Sequence, residues 1–335
     1  MRLDILKNNP EYHGALVSAG TSTVMVGYAQ ARIGLRSEGL RAVDKGIAFY
    51  QTALEHSADV LAKRYLAVSR MKRGDILLMN GEDVAALREY QQAESALKPL
   101  ADADPENDLI QADRLRVEYL KARVLIAEHK YAQALPMLKS QATAYDARKR
   151  KGGLTPDTSR TGGELFISLG EAYAGSGNPA AALQSFQKAS SILNAGASDG
   201  QDDDINCDRA TAVLKAGDAL MVMGRPGEAE TTYQAALKMA SPFAIPGNND
   251  VPALYPVANA SLGSGDAYRA LARISRSDSA QLTMAACAAY RKSKDAWDRV
   301  PNPAAIDPDG FLSRLPNELD SRLSRCKVEI APLPK

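Results

Sequence analysis

The chain has few aromatic residues, few cysteines and almost no histidine: aromatics make up 6% of its 335 residues, with 3 cysteines and 3 histidines. No stretch approaches the roughly 18 uninterrupted apolar residues of a membrane-spanning helix. The N-terminus, MRLDILKNNPEYHG, lacks the apolar core of a signal peptide. The sequence therefore reads as soluble, without membrane insertion in this chain, and as cytoplasmic if the chain is complete. Cys207, Cys287 and Cys326 are widely separated, odd in number and form no CxxC pair. They are expected to be small core residues in a reducing compartment. His13, His56 and His129 have no second His or Cys at ligand spacing, which argues against a metal site or histidine catalysis. Also missing are GxSxG, HExxH, a phosphate-binding loop and a GxGxxG in strand-to-helix context. The expectation is a non-enzyme with no cofactor. An excess of positive charge is lacking too: 41 Lys plus Arg face 40 Asp plus Glu. General binding of nucleic acid is disfavoured for that reason.

What the chain does have is alanine, and with it a small-residue pattern at fixed offsets. Alanine loses no side-chain entropy in a helix and lets helix pairs approach closely. Gly74, Ala86, Tyr90 and Ala93 form one copy; Gly170, Ala182, Phe186 and Ala189 a second; Gly217, Ala229, Tyr233 and Ala236 a third, all with offsets of 12, 16 and 19. Small residues are expected where two antiparallel helices come closest, the aromatic between the helices, and the last alanine where the next repeat stacks. Looser copies are Ala122, Ala134 and Leu138, then Gly27 with Gly46, Tyr50 and Ala53 after about 7 extra residues, and Gly265 with Ala286, Tyr290 and Ser293 after about 9. The lead residues Gly27, Gly74, Ala122, Gly170, Gly217 and Gly265 are spaced 47, 48, 48, 47 and 48 apart.

This pattern resembles the tetratricopeptide repeat, whose usual length is about 34 residues. The resemblance implies an all-α, right-handed superhelical solenoid of about six antiparallel helix pairs, running as one domain through residues 1–335. The extra length fits helices of roughly 20 residues; Leu109–Glu128 runs that far without Gly or Pro. Asn80-Gly81, Gly175–Pro179 and Gly224–Gly227 are expected as turns within pairs, with Asn178 capping a helix that starts at Pro179. Lys151–Pro156, Asn194–Asp204 and Ser241–Pro252 read as links between pairs. Asp202 to Asp204 suit a helix start and Arg148 to Lys151 a helix end. Residues 308–330, with a helix over Phe311–Ile330, are expected to cap the array.

A narrower resemblance joins ACAAYRKSKDAW (residues 286–297), Arg325, Cys326 and the Gly-Asp pairs at 74–75, 217–218 and 265–266 to the repeat arrays of bacterial membrane-anchored serine/threonine kinases. The kinase motifs themselves are absent. That resemblance implies the sensing or docking part of a signalling protein. The solenoid resemblance also implies a concave groove lined by the first helix of each pair, at positions 3 before and 1 after the lead residue. The candidate partner-binding residues are Met71, Asp75, Tyr119, Arg123, Ile167, Glu171, Leu214, Asp218, Leu262 and Asp266, with Val24 and Tyr28 at the same positions of the first pair. An apolar stripe beside a mostly acidic one implies a protein or peptide partner, basic and amphipathic in character. Two alternatives stay open. A structural oligomerisation module would show an exposed apolar patch away from the groove, and a small-molecule regulator a closed apolar pocket.

Overall fold

The first helix of each pair starts at His13, Val60, Asp108, Pro156, Asp203 and Val251, at the 47- to 48-residue period of the lead residues. The computed structural model describes residues 9, 11–55, 57–151, 156–196, 203–275, 277–300 and 316–329. Among them there are thirteen helices and no strand. The pairs are α1 (His13–Arg32) with α2 (Arg36–Glu55), α3 (Val60–Met79) with α4 (Asp83–Ala103), and α5 (Asp108–Ala127) with α6 (Tyr131–Lys151). Then come α7 (Pro156–Gly175) with α8 (Pro179–Gly196), α9 (Asp203–Val222) with α10 (Pro226–Ala240), and α11 (Val251–Ile274) with α12 (Ser279–Trp297). A last helix, α13 (Pro316–Glu329), lies inside the span expected for the cap; residues 308–315 and Ile330 lie outside the described residues. The architecture is thus an all-α tandem helix-pair repeat, and most helices are 18–21 residues long, as the long period requires. The chain forms two compact units, divided at Gln141 within α6.

Five of the six turns are built alike. Gly34, Gly81, His129, Gly177 and Gly224 stand seven residues after their lead residues, and all have left-handed backbone, with φ of 92, 74, 58, 77 and 72°. The following amide closes each turn: Glu82 N donates to Leu77 O at 2.9 Å, Asn178 N to Tyr173 O at 2.9 Å and Arg225 N to Leu220 O at 3.0 Å. This is the Schellman ending, which satisfies carbonyls that the helix leaves free. The next helix starts at once, with Ala181 N donating to the Asn178 side chain at 3.1 Å and Pro179 in the first turn, as expected. His129 is the single described non-glycine residue at positive φ, a conformation that costs an L-residue about 1–2 kcal/mol. His129→Gly is therefore expected to stabilise the chain by about 1 kcal/mol, read as a higher urea midpoint at unchanged slope.

The first pair corrects the expected register. Gly27 lies against Gly39, not Gly46: a methyl added at Gly27 would sit 2.7 Å from the Gly39 carbonyl oxygen, and one at Gly39 would sit 2.6 Å from that of Gly27. With Gly39 at offset 12, Val43 takes the aromatic slot and Gly46 the last one, so the pair needs no extra residues. Tyr50 lies two turns further along, with its ring on Gly20 and its hydroxyl 2.7 Å from Thr21 Oγ1. The insertion in the last pair is real. Compared with α3 and α4, each helix gains one turn between Gly265 and Tyr290, and the turn gains a residue.

Candidate binding surface

Four lead glycines, Gly74, Gly170, Gly217 and Gly265, are needed because a ring lies on each. A methyl at Gly74 would meet Tyr90 Cε1 at 2.5 Å and one at Gly217 would meet Tyr233 Cε1 at 2.6 Å; Gly170 and Gly265 face Phe186 and Tyr290 in the same way. The ring thus covers the glycine, while Ala86, Ala182, Ala229 and Ala286 are wholly buried across the pair. Gly217→Ala is expected to cost about 1–3 kcal/mol through overpacking, although alanine is the better helix former. Gly227, with nothing within 4 Å of its added methyl, is the control. Thermal unfolding of both variants checks this: Gly227→Ala should stay at or above the parent.

The same rings explain the residue after the lead. Tyr90 donates its hydroxyl to Asp75 at 2.8 Å, Tyr233 to Asp218 at 2.7 Å and Tyr290 to Asp266 at 2.9 Å. Burial, then the neighbouring carboxylate, pushes the Tyr90 and Tyr290 hydroxyls well up, so they stay protonated donors. A hydrogen bond to a charged group of this kind contributes about 1.5–3 kcal/mol. In the copy where the ring is Phe186 and has no hydroxyl, the residue after the lead is Glu171. It turns to the next pair instead, with Lys215 Nζ at 2.8 Å and both side chains buried. Burial alone would lower Lys215, but the charge of Glu171, with Tyr255 and Asp218 nearby, outweighs it and raises the ammonium. Lys72 occupies the same place two before Gly74 and lies 4.0 Å over the Tyr28 ring, the residue after Gly27. Lysine two before one lead thus reaches the residue after the previous lead in both units.

A further link repeats at the other end of the first helices. Arg64 Nε donates to Asp113 at 2.6 Å, and Arg160 Nε to Asp208 at 2.8 Å. Both arginines stand ten residues before a lead and both aspartates nine before the next. Arg160 also bonds Asp204 at 2.9 Å, which ties the acidic start of α9 to α7. These pairs set the register of adjacent hairpins within each unit.

The ten sequence candidates are therefore not an open stripe. Met71, Tyr119, Ile167, Leu214 and Leu262 are core residues, each at most 3% exposed. Asp75, Arg123 and Glu171 are buried, and Asp218 and Asp266 half-buried. Asp75 accepts the Tyr90 hydroxyl, on which the charge of Arg123 also acts, and Glu171 pairs with Lys215, on which the charge of Asp218 also acts. Reasoning from sequence missed the partners, namely Lys215, Lys72 and the hydroxyls of Tyr90, Tyr233 and Tyr290. The available signal was that Gly-Asp pairs occur where the ring is Tyr.

At the C-terminus, Arg322 of α13 donates to Asp266 through Nε at 2.7 Å and through Nη2 at 3.0 Å. Leu319 is buried beneath the helix. Cys326 is bonded to Cys287 of α12, with Cα atoms 5.7 Å apart, inside the bridging range. The expectation of three reduced core cysteines is corrected for two of them: α13 returns beside α12 to form the disulfide, while Cys207 is a buried residue outside it. Among the described residues, no helix is long and apolar enough to cross a membrane, and no group of His, Cys, Asp or Glu could hold a metal ion.

No family model and no curated protein matches this sequence. Solved structures do match it in fold. A STAND signal-transduction ATPase with a tetratricopeptide repeat sensor, from Pyrococcus horikoshii, is similar with a TM-score of 0.50 at 12% identity, over 90% of this chain and 46% of that one. A Rap protein complexed with competence and sporulation factor gives 0.47 at 14% identity, over 90% and 76%. A monomeric mutant of IFIT1 with Gppp-AAAA gives 0.41 at 13%, over 92% and 65%. This chain spans less than half the length of the STAND protein. The likeness is one of fold: a helical repeat of the tetratricopeptide type.

Proposed function

We propose that the chain is a non-catalytic scaffold that binds a protein or peptide segment along its helix pairs. The observation that supports this reading most directly is the recurring set of bonds between neighbouring first helices, Arg64–Asp113, Arg160–Asp208 and Lys215–Glu171. They hold adjacent pairs in a fixed register, and a pre-organised surface lowers the ordering cost of binding. The balance of charge favours protein over nucleic acid. Because Asp75, Asp218 and Asp266 already accept tyrosine hydrogen bonds, apolar anchors carry the ligand's affinity more than basic residues do. The sensing part of a larger signalling protein, as the kinase resemblance implies, is the finer form of this proposal. The Cys287–Cys326 bond favours work in an oxidising compartment.

Selection from a random peptide display library, followed by fluorescence polarisation of the winners, tests the reading. The expected result is saturable binding of peptides with apolar residues three and four apart. Their affinity should be little changed by salt that shortens the Debye length from about 10 to about 3 Å. Failure to recover any saturable peptide, or binding that salt abolishes, would contradict it.

A further inference from the structure

We infer that α13 sits in a seat shaped for a first helix, and that reducing the Cys287–Cys326 bond opens this seat to a helix of a partner protein. That helix carries an apolar residue, a Lys or Arg three positions later and a small residue four after that. The seat lies on α11 and α12, apart from the surface along the pairs, so the inference goes beyond the scaffold reading and does not rest on it.

α13 keeps the register of the first helices. Positions five before, two before and two after a lead share one helix face, being three and four apart. In α9 and α11 that face meets the pair before: Lys215, two before its lead, reaches Glu171, and Gly263, two before its lead, lies under the Tyr233 ring. Ala212 and Ala219 in α9, and Ala260 and Ala267 in α11, fill the other two places and are buried. With Ser324 as the lead of α13, Leu319, Arg322 and Cys326 take the same three places. Leu319 and Cys326 are buried. Arg322 reaches Asp266, the residue after the previous lead, just as Lys215 reaches Glu171.

What backs the helix differs. Tyrosine rings of α10 and α12 cover the lead glycines of α9 and α11, whereas Ser324, in the lead place of α13, is exposed. A helix of 14 residues is marginal alone in water. Where α9 and α11 have alanine two after the lead, α13 has the cysteine bonded to Cys287. The bond thus supplies the hold that a second helix gives α9 and α11, and closing a loop of this size raises occupancy of the seat about 100- to 1,000-fold. A dithiol reductant opens the bond by exchange: one thiolate attacks a cysteine sulfur and displaces the other cysteine as thiolate, and the second thiol then displaces the first cysteine. The reductant leaves as a disulfide, and Cys287 and Cys326 take up its two electrons and two protons. Asp266 keeps its place in the opened seat through the Tyr290 hydroxyl, 2.9 Å away, and its carboxylate selects a basic residue.

Two measurements on the full chain test the proposal. The probe is a fluorescein-labelled helical peptide of the length of α13 with Leu, Arg and Ala in the three places; its control has the three residues moved by one position. In fluorescence polarisation the parent should bind the probe about 100-fold more tightly after dithiothreitol than before, and the control peptide in neither state. For the second measurement, Cys replaces Ala in both peptides, and the chain carries Leu319→Glu and Cys326→Ser so that α13 can neither bond nor reseat. In glutathione buffer, mass spectrometry should find the in-register peptide on Cys287 about tenfold more than the shifted one, and Asp266→Asn should remove most of that preference. Equal affinity of the oxidised and reduced parent, no binding to the reduced parent, or equal capture of the two peptides would each overturn the proposal. The parent carries no substitution, so the first measurement decides even where the double variant fails to fold.

Discussion

Lys215→Met is expected to cost about 3–5 kcal/mol, because it leaves the Glu171 carboxylate buried without its cation. The two side chains are 6% and 8% exposed and 2.8 Å apart, so water cannot replace the lost partner. A Lys215→Met, Glu171→Leu double variant should recover most of the loss, since an apolar pair of similar volume often matches or exceeds a buried ion pair. The pH dependence follows from the raised Lys215 ammonium. A base whose pKa is higher folded than unfolded contributes fully below the unfolded value and loses that contribution only as pH rises through the folded one. The pair's contribution should accordingly be flat through the neutral range and fail only in strong alkali. Urea titrations of the parent and both variants decide the matter: a single variant within about 1 kcal/mol of the parent would mean that the pair behaves as a solvated surface contact.

Breaking the Cys287–Cys326 bond should be nearly as damaging. The cysteines are 39 residues apart, and closing a loop of that size lowers the entropy of the unfolded chain by the equivalent of about 3–4 kcal/mol. Among the described residues, the short helix α13 buries Leu319 and Cys326 and makes the Arg322–Asp266 pair. In hydrogen exchange, Cys326→Ser or reduction should deprotect α13 and the outer face of α12, and leave α1 to α4 unchanged. A parent protein whose unfolding is the same with and without reductant would contradict this bond.

Much of the fold was legible because helix packing repeats its demands. Gly74, Gly170 and Gly217 need no side chain for one reason, a ring from the partner helix, and their constant offsets carry that reason into the sequence. The first pair was misread because Val43 fills the slot where an aromatic was sought, and Tyr50, two turns away, drew the alignment. The turns were only partly read. Glycine seven after each lead is plain in four pairs, but its need for left-handed backbone is general only once His129 is seen to adopt it. The candidate surface was less legible, because periodicity gives the face a residue occupies and not the partner it finds. Asp75, Asp218 and Asp266 looked like an acidic stripe; each instead accepts a hydrogen bond from its own pair's tyrosine. The disulfide could not be read at all, since nothing local marks two cysteines on helices separated by a proline-rich link.

The central claim is that the residue after each lead serves the repeat itself before it serves any ligand. A double-mutant cycle on Asp218→Ala and Tyr233→Phe, read by chemical unfolding, tests it most directly. The 2.7 Å bond between these side chains predicts a coupling of about 1–3 kcal/mol. Strictly additive variants, each nearly neutral, would show that Asp218 faces outward and that its carboxylate is free for a partner.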